Sequence, residues 1–410
     1  MKNIFCILSI TLLMIFILHT NSYSEFKIVG YVPDWAGSPT YVQWDKVTHI
    51  NYAFILPSNG TGGLTSPNSN ILNTLVSQAH SRGVKVLVSI GGWNNGDDSR
   101  FHSVAANQTY INTFVANCTT LVKTFNLDGI DIDWEYPDAG TSADQYVTFM
   151  TSLANALHPK GKLLTAAVIG NPNNGIKNEI FNIVDFLNIM SYDGGTPHST
   201  YAMASSNLRA WRARGLSKEK AILGVPFYGR EPYTSYAQLC QMDPQAPFKD
   251  QVGNIYYNGI ETIQKKTRLA ADSGGGIMIW ELSQDVSGQY SLLKAIYDAA
   301  PKTIIAFNNS SSFKPLCSVY SSINPFKHYY NINLNLSNSA NVIVDIIDIN
   351  GKIIKTLVQN RSLNAGQHEF VWDKRSNLGN IVGSGVYEYR VVLKNGTQNE
   401  SYVKQLVVTK

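Results

Sequence analysis

The run Asp128-Gly129-Ile130-Asp131-Ile132-Asp133-Trp134-Glu135-Tyr136-Pro137 is the densest group of chemically capable side chains in this sequence. Side chains of a strand alternate between its two faces, so Asp131, Asp133 and Glu135 share one face and Ile130, Ile132 and Trp134 the other. Neighbouring acids then stand about 6–7 Å apart along the strand. Three carboxyls this close do not all ionise, because desolvation and like charge raise at least one pKa strongly. A carboxylic acid that keeps its proton near neutral pH is a general acid, of the kind that cleavage of a glycosidic bond needs. A solvated acidic turn at a strand end would not alternate strictly with Ile, Ile and Trp. A calcium loop of the EF-hand kind would be irregular and carry a central glycine.

The elements that position this run repeat regularly. Apolar, β-rich segments occur at Lys27–Val32, Thr48–Phe54, Lys85–Ile90, Gly129–Trp134, Leu163–Val168, Phe186–Met190, Ala221–Phe227 and Gly276–Trp280. Helical periodicity lies between them, most clearly over Ile71–Arg82, Tyr110–Phe125, Asp144–His158, Gly259–Ala271 and Ser291–Ala300. Eight strand–helix units in this order predict an α/β fold, a (β/α)8 TIM barrel over residues 25–302. A doubly wound sheet would place a GxGxxG-type phosphate turn after an early strand, and the sequence has none there. The acids would then project into the barrel near the C-terminal end of its fourth strand.

The texture changes after Pro301. A polar linker, 303–318, leads into residues 319–410, which hold only alternating strand patterns: Asn331–Leu336, Val342–Ile349, Lys352–Val358, His368–Trp372, Gly385–Leu393 and Tyr402–Val408. Turn signals such as Asn350-Gly351 and Asn395-Gly396 separate them, as in a small all-β immunoglobulin-like sandwich.

The chain has 410 residues, 44% hydrophobic and 15% charged, which is globular rather than disordered. Its formal charge of +4 is scattered, so no basic face for nucleic acid is expected. Residues 1–24 read as a signal peptide: a basic start, an apolar run from Ile4 to Leu18, then Ser22-Tyr23-Ser24. That run falls short of the roughly 20 residues a membrane span needs, so a secreted, soluble mature protein is expected. Cys6 leaves with the peptide. Cys118 reads as a small core residue, a Cys240–Cys317 bridge is open, and nothing has metal-ligand spacing. Neither metal nor cofactor is expected.

The acidic run resembles the signature DGxDxDWE of glycoside hydrolase family 18, the chitinases and their relatives. Ser89-Ile90-Gly91-Gly92-Trp93, Met190-Ser191-Tyr192-Asp193, Gly224-Val225-Pro226-Phe227-Tyr228-Gly229-Arg230 and Gly275-Gly276-Ile277-Met278-Ile279-Trp280-Glu281 stand in the family's order at the ends of strands three, six, seven and eight. Gly30-Tyr31 and Asn51-Tyr52-Ala53-Phe54 match strands one and two. The resemblance implies that Glu135 is the proton donor and that the substrate's own acetamido carbonyl attacks, giving an oxazolinium ion opened by water with retention. Asp133 would orient the acetamido N–H and stabilise positive charge, and Asp131 would hold Asp133 and modulate its proton. Tyr192 would bind the acetamido oxygen, and Asp193 the same sugar or Glu135. Trp280 would floor the sugar, with Tyr31, Phe54, Tyr136, Met190, Tyr228 and Arg230 as further lining positions. Trp134 and Phe227 read as packing, and Trp93 stays open. The family also implies non-proline cis bonds at Ala53–Phe54 and Trp280–Glu281.

One departure matters. Arg230 to Gly276 spans about 45 residues, too few for the α+β subdomain that deep-cleft chitinases insert before strand eight, so an open groove is expected. The expected substrate is a polysaccharide or oligosaccharide containing N-acetylglucosamine, chitin by default. An endo-β-N-acetylglucosaminidase acting on the N-glycan chitobiose core, and a non-catalytic chito-oligosaccharide lectin, are the alternatives. Val344-Asp345-Ile346-Ile347-Asp348-Ile349-Asn350-Gly351-Lys352, with Trp372-Asp373 and Ser384-Gly385-Val386-Tyr387, resembles FlgD-like immunoglobulin domains and the type A sorting domains of the type IX secretion system. That resemblance implies a secretion machinery as partner; a carbohydrate-binding module and an inert spacer are the other readings.

Overall fold

The computed structural model describes residues 26–301, 317–324, 329–348, 352–395 and 398–408. The expected signal peptide, and the expected linker apart from its last two residues, lie outside the described residues. The chain divides into two compact units, Met1–Thr303 and Ile304–Lys410.

In the first unit eight strands form a closed parallel barrel: β1 (Lys27–Pro33), β2 (His49–Ile55), β3 (Lys85–Gly91), β4 (Gly129–Asp133), β5 (Leu163–Ile169), β6 (Phe186–Met190), β7 (Ala221–Pro226) and β8 (Gly276–Trp280). Each pairs with the next, and β8 returns to β1. The helices are α1 (Ser69–His80), α2 (Ser99–Ala105), α3 (Gln108–Phe125), α4 (Thr141–Leu157), α5 (Ile180–Ile183), α6 (Tyr201–Ala213), α7 (Tyr236–Met242), α8 (Ile260–Ser273) and α9 (Leu292–Ala299). Local chemistry sets their ends. The Asn107 side chain accepts from the N–H groups of Thr109 and Tyr110 to start α3, and Asn126 ends it in the left-handed region at φ 52°.

The alternation in β4 sorts into two cores. Ile130, Ile132 and the residue after the strand, Trp134, pack outward among the helices. There the Trp134 ring stacks on Phe101 (centroids 5.2 Å apart) and meets Tyr146 edge-on (5.6 Å). Burying an aromatic side chain of this kind contributes about 2–3 kcal/mol. Cys118 and Phe227 are also fully buried in this outer layer. Inside the barrel, Val29, Tyr31, Ala53, Ala167, Phe186, Ile222 and Met278 fill the space beneath the acids.

The connection from β7 to β8 contains α7, α8 and two minimal antiparallel ladders, Tyr228–Gly229 with Thr234–Ser235 and Gln251–Val252 with Ile255–Tyr256. No space is left for a further subdomain. Cys240, on α7, is a free thiol, and the side chain of Cys317, its possible partner, lies outside what is described.

The second unit is all-β. One antiparallel sheet joins β9 (Cys317–Asn324), β10 (Tyr329–Leu336) and β13 (Gly366–Trp372). The other has the order β12 (Ile353–Leu363), β11 (Ala340–Asp348), β14 (Gly385–Asn395), β15 (Gln398–Val408). Ile332, Leu334, Val344, Ile346, Trp372, Tyr389 and Val391 make a single core between them. Trp372 and Tyr389 are buried there. β9 begins two residues before the expected boundary at 319, and β12 runs to Leu363, well past Val358. Among the described residues no helix is long and apolar enough to cross a membrane.

Candidate active site

Ser89 on β3, Asp131 on β4 and Thr165 on β5 stand in register, so their inward side chains form one row. Both flanking hydroxyls donate to Asp131: Ser89 Oγ to Oδ2 at 2.8 Å and Thr165 Oγ1 to Oδ1 at 2.5 Å. Tyr31 donates its hydroxyl to Oδ2 (2.7 Å), and Asn188 Nδ2 donates to Oδ1 (3.3 Å). Asp131 is completely buried. Burial raises its pKa, while the four donors oppose the rise. These four donors occupy the oxygens of Asp131, and its charge is one of the causes that raise the pKa of Asp133. Ser89, Thr165 and Asn188 were not among the expected site residues. Their signal is a lone polar residue at an inward position of an otherwise apolar strand.

Asp133 closes β4, and Glu135 stands two residues beyond the strand's end rather than within it. The last residue of β4 is held closely by β3. Gly91 sits opposite Asp133 at φ 120°, where a Cβ would come within 2.1 Å of the Asp133 carbonyl oxygen. Gly92 N then donates to that carbonyl at 2.8 Å, and a Cβ on Gly92 would lie 2.7 Å from the Phe54 ring. The paired glycines therefore bring β3, the acid strand and Phe54 into contact. Non-proline cis bonds occur at Ala53–Phe54 and Trp280–Glu281 as the family implies, and also at Glu135–Tyr136 and Arg230–Glu231.

The carboxyls of Asp133 and Glu135 lie close enough for each to shift the other's pKa, a hydrogen bond between them included. Burial, then the charges of Glu135 and Asp131, hold Asp133 well above the usual carboxylate range. Burial pushes Glu135 up to about 7; Asp193 adds to this, while bonds from Tyr136 and Asp133 oppose it. The bond between the pair raises Asp133 and lowers Glu135, so Asp133 is the stronger holder of a proton. Asp133 Oδ1 is buried without a partner.

The pair opens into a cleft of about 1470 Å³ at the C-terminal mouth of the barrel. Tyr31, Phe54, Tyr136, Met190 and Trp280 line it together with Asp133 and Glu135; Asp131 lies behind them. Phe54 stacks on Trp280 (5.4 Å, 25°), and Tyr31 meets Trp280 edge-on at 5.6 Å. Across the cleft, Tyr192 directs its hydroxyl inward, with the Met278 sulfur at 3.9 Å as a weak contact. Burial raises its pKa, which keeps it a donor. Asp193 accepts from Tyr228 (2.9 Å), Arg230 (2.8 Å) and the His198 ring (3.1 Å). Burial acts to raise its pKa, but His198, Tyr228 and Arg230 outweigh it and hold Asp193 below the usual range. Three further aromatics line the cleft and are mostly exposed: Trp93, which the sequence left open, and Trp35 and Tyr233, which it did not single out. Tyr233 stacks on Tyr228 at 4.5 Å, and Trp35 meets Trp280 at 6.3 Å.

An acid pair at the mouth of a closed barrel, walled by aromatic rings, is a glycosidase arrangement, and residues 27–285 match the model of Glycosyl hydrolases family 18. The chain belongs to that family. Its barrel superposes on a GH18 chitinase, ChiB of Flavobacterium johnsoniae, with a TM-score of 0.61 and 31% identity over 67% of this chain and 94% of that one. It is similar to a probable endochitinase of Caenorhabditis elegans (35% identical over 274 residues, 49% of this chain and 44% of the relative). An endochitinase of Manduca sexta is 29% identical over 265 residues, 51% of this chain and 46% of the relative. The chain thus spans about half the length of these curated relatives. Residues 326–397 match the FlgD Ig-like domain.

Proposed function

We propose that the protein is a secreted, retaining glycoside hydrolase of the chitinase class, cleaving β-1,4 linkages in N-acetylglucosamine polymers by substrate-assisted catalysis. One observation carries this reading: the two carboxyls at the exit of β4 are both held above the usual carboxylate range, and the ionised Asp193 across the cleft is already engaged. Burial favours the protonated forms of Asp133 and Glu135, and Asp193 is bound by Arg230, Tyr228 and His198. Attack therefore falls to an oxygen of the substrate, and an acetamido carbonyl is such an oxygen.

Glu135 protonates the leaving glycosidic oxygen. The hydrogen bond from Asp133 stabilises the carboxylate left behind, and Asp133, which lines the cleft, accepts the acetamido N–H. Tyr192 donates to the acetamido oxygen and fixes it beneath the anomeric carbon. Trp280 and Phe54 stack on the sugar's apolar face. Water, activated by Glu135 as base, opens the oxazolinium ion with retention.

The relatives' names support chitin as substrate. The short β7–β8 connection favours an open groove, which also suits an endo-β-N-acetylglucosaminidase. Purified protein incubated with chito-oligosaccharides and with a high-mannose glycoprotein, with products weighed by mass spectrometry, separates these readings. Shortened chito-oligosaccharides support the chitinase, and cleavage of the glycoprotein alone supports the N-glycan enzyme. Binding without products supports a lectin. Residues 1–24 are proposed as the export signal and residues 319–410 as a sorting domain read by a type IX machinery. The mass of the exported protein tests both.

A further inference from the structure

Lys266 occupies a position where a lysine is out of place. The inner stripe of α8 is Ile263, Lys266, Thr267 and Ala270, all buried, and Lys266 is fully so. No carboxylate pairs with it. Its Nζ donates to Asn258 Oδ1 (2.6 Å), Ser199 Oγ (2.7 Å) and the Ser199 carbonyl (2.8 Å).

These acceptors have no spare hydrogen to offer. Ser199 Oγ gives its proton to the Ser191 carbonyl (2.9 Å), and Asn258 Nδ2 gives its hydrogens to the carbonyls of Ser199 and Tyr257. Three acceptors around one nitrogen need three N–H bonds, which the ammonium has and the neutral amine lacks. Burial pulls the pKa of Lys266 down to about 7, with Asp250 acting in the opposite sense.

The bonds join two segments that meet at the cleft. Ser191 to Ser199 is the loop after β6 that carries Tyr192 and Asp193, and His198 within it reaches Asp193. Asn258 follows the small ladder that ends at Tyr256, and Tyr256 exchanges two backbone hydrogen bonds with Arg230, the partner of Asp193.

We propose that Lys266 is a positioning residue for the reaction, fastening the Tyr192–Asp193 loop to the segment that bears Arg230. The role rests on the function proposed above for Tyr192, and the test separates the two. In Lys266→Met, amide hydrogen exchange across 191–200 rises at least tenfold while β4 and β8 keep their protection. On chito-oligosaccharides kcat falls at least tenfold and KM changes less than twofold, because the Trp280 platform is untouched. Should Lys266→Met not fold, Ser199→Ala removes one bond at each end and moves the same quantities in the same direction, by a smaller factor. Wild-type kcat with unchanged exchange in the variant that folds overturns the role, as does equal loosening of every strand. Selective loosening in a protein that cleaves no N-acetylglucosamine glycan supports the fastening and overturns the function.

Discussion

The carboxyl of Asp133 lies against that of Glu135 at the exit of β4, and each alters the other's hold on a proton. The group that would protonate the leaving oxygen thus has a second carboxyl beside it. Glu135→Gln keeps the volume and the hydrogen bond but has no acidic proton. Turnover of chito-oligosaccharides is expected to fall by about 10³-fold or more, with sugar binding by calorimetry and the melting temperature close to wild type. Near-normal turnover would remove Glu135 from the role of acid.

The same pair sets a pH dependence. With the Glu135 pKa near 7, the acid form is lost as pH rises through that value, so kcat/KM should decline on the alkaline side there. The charge of Asp193 is one of the causes raising Glu135. Asp193→Asn removes that charge, and also frees the Arg230 cation from its salt bridge. Both changes favour ionised Glu135, so the alkaline limb should move to lower pH. A pH–rate profile of the variant checks this, and a shift to higher pH would contradict the assignment.

Asp131 offers a test of stability. Asp131→Ala leaves the hydroxyls of Tyr31, Ser89 and Thr165 and the Asn188 amide facing a buried gap. An orphaned buried polar group costs about 1–3 kcal/mol. Loss of the carboxylate's own desolvation penalty offsets part of the sum, so a net destabilisation of about 2–4 kcal/mol is expected in urea unfolding. A variant as stable as wild type would mean that the row across β3, β4 and β5 contributes nothing to the fold.

What could be read from the sequence followed the two periodicities. Alternation in Ile130–Trp134 sorts the acids inward and the apolar residues outward because one residue's register flips every side chain. The partners of Asp131 come from β1, β3, β5 and β6, and a single hydroxyl in an apolar strand gives no periodic signal. Two-residue ladders such as Tyr228–Gly229 with Thr234–Ser235 are too short to show a period, so Tyr233 was hidden with them. The helix α6 buries Ala204, Leu208 and Trp211, but polar and basic neighbours such as Arg209 and Arg212 dilute that stripe. Lys266 interrupts the apolar stripe of α8 for the same kind of reason: its bonds reach elements remote in sequence.

The Tyr192 hydroxyl distinguishes assistance by the substrate from attack by the protein. Its one contact is the distant Met278 sulfur, so removing the oxygen orphans nothing within the protein. Tyr192→Phe should therefore fold with unchanged stability, while kcat on chito-oligosaccharides falls by about 10–10²-fold. KM should change little, since Trp280 and Phe54 still carry the sugar. Cello-oligosaccharides match the ring and linkage but have a hydroxyl where the acetamido group stands, and no cleavage of them is expected by either protein. If wild type cut them efficiently, or if Tyr192→Phe lost only binding, the nucleophile would have to come from the enzyme.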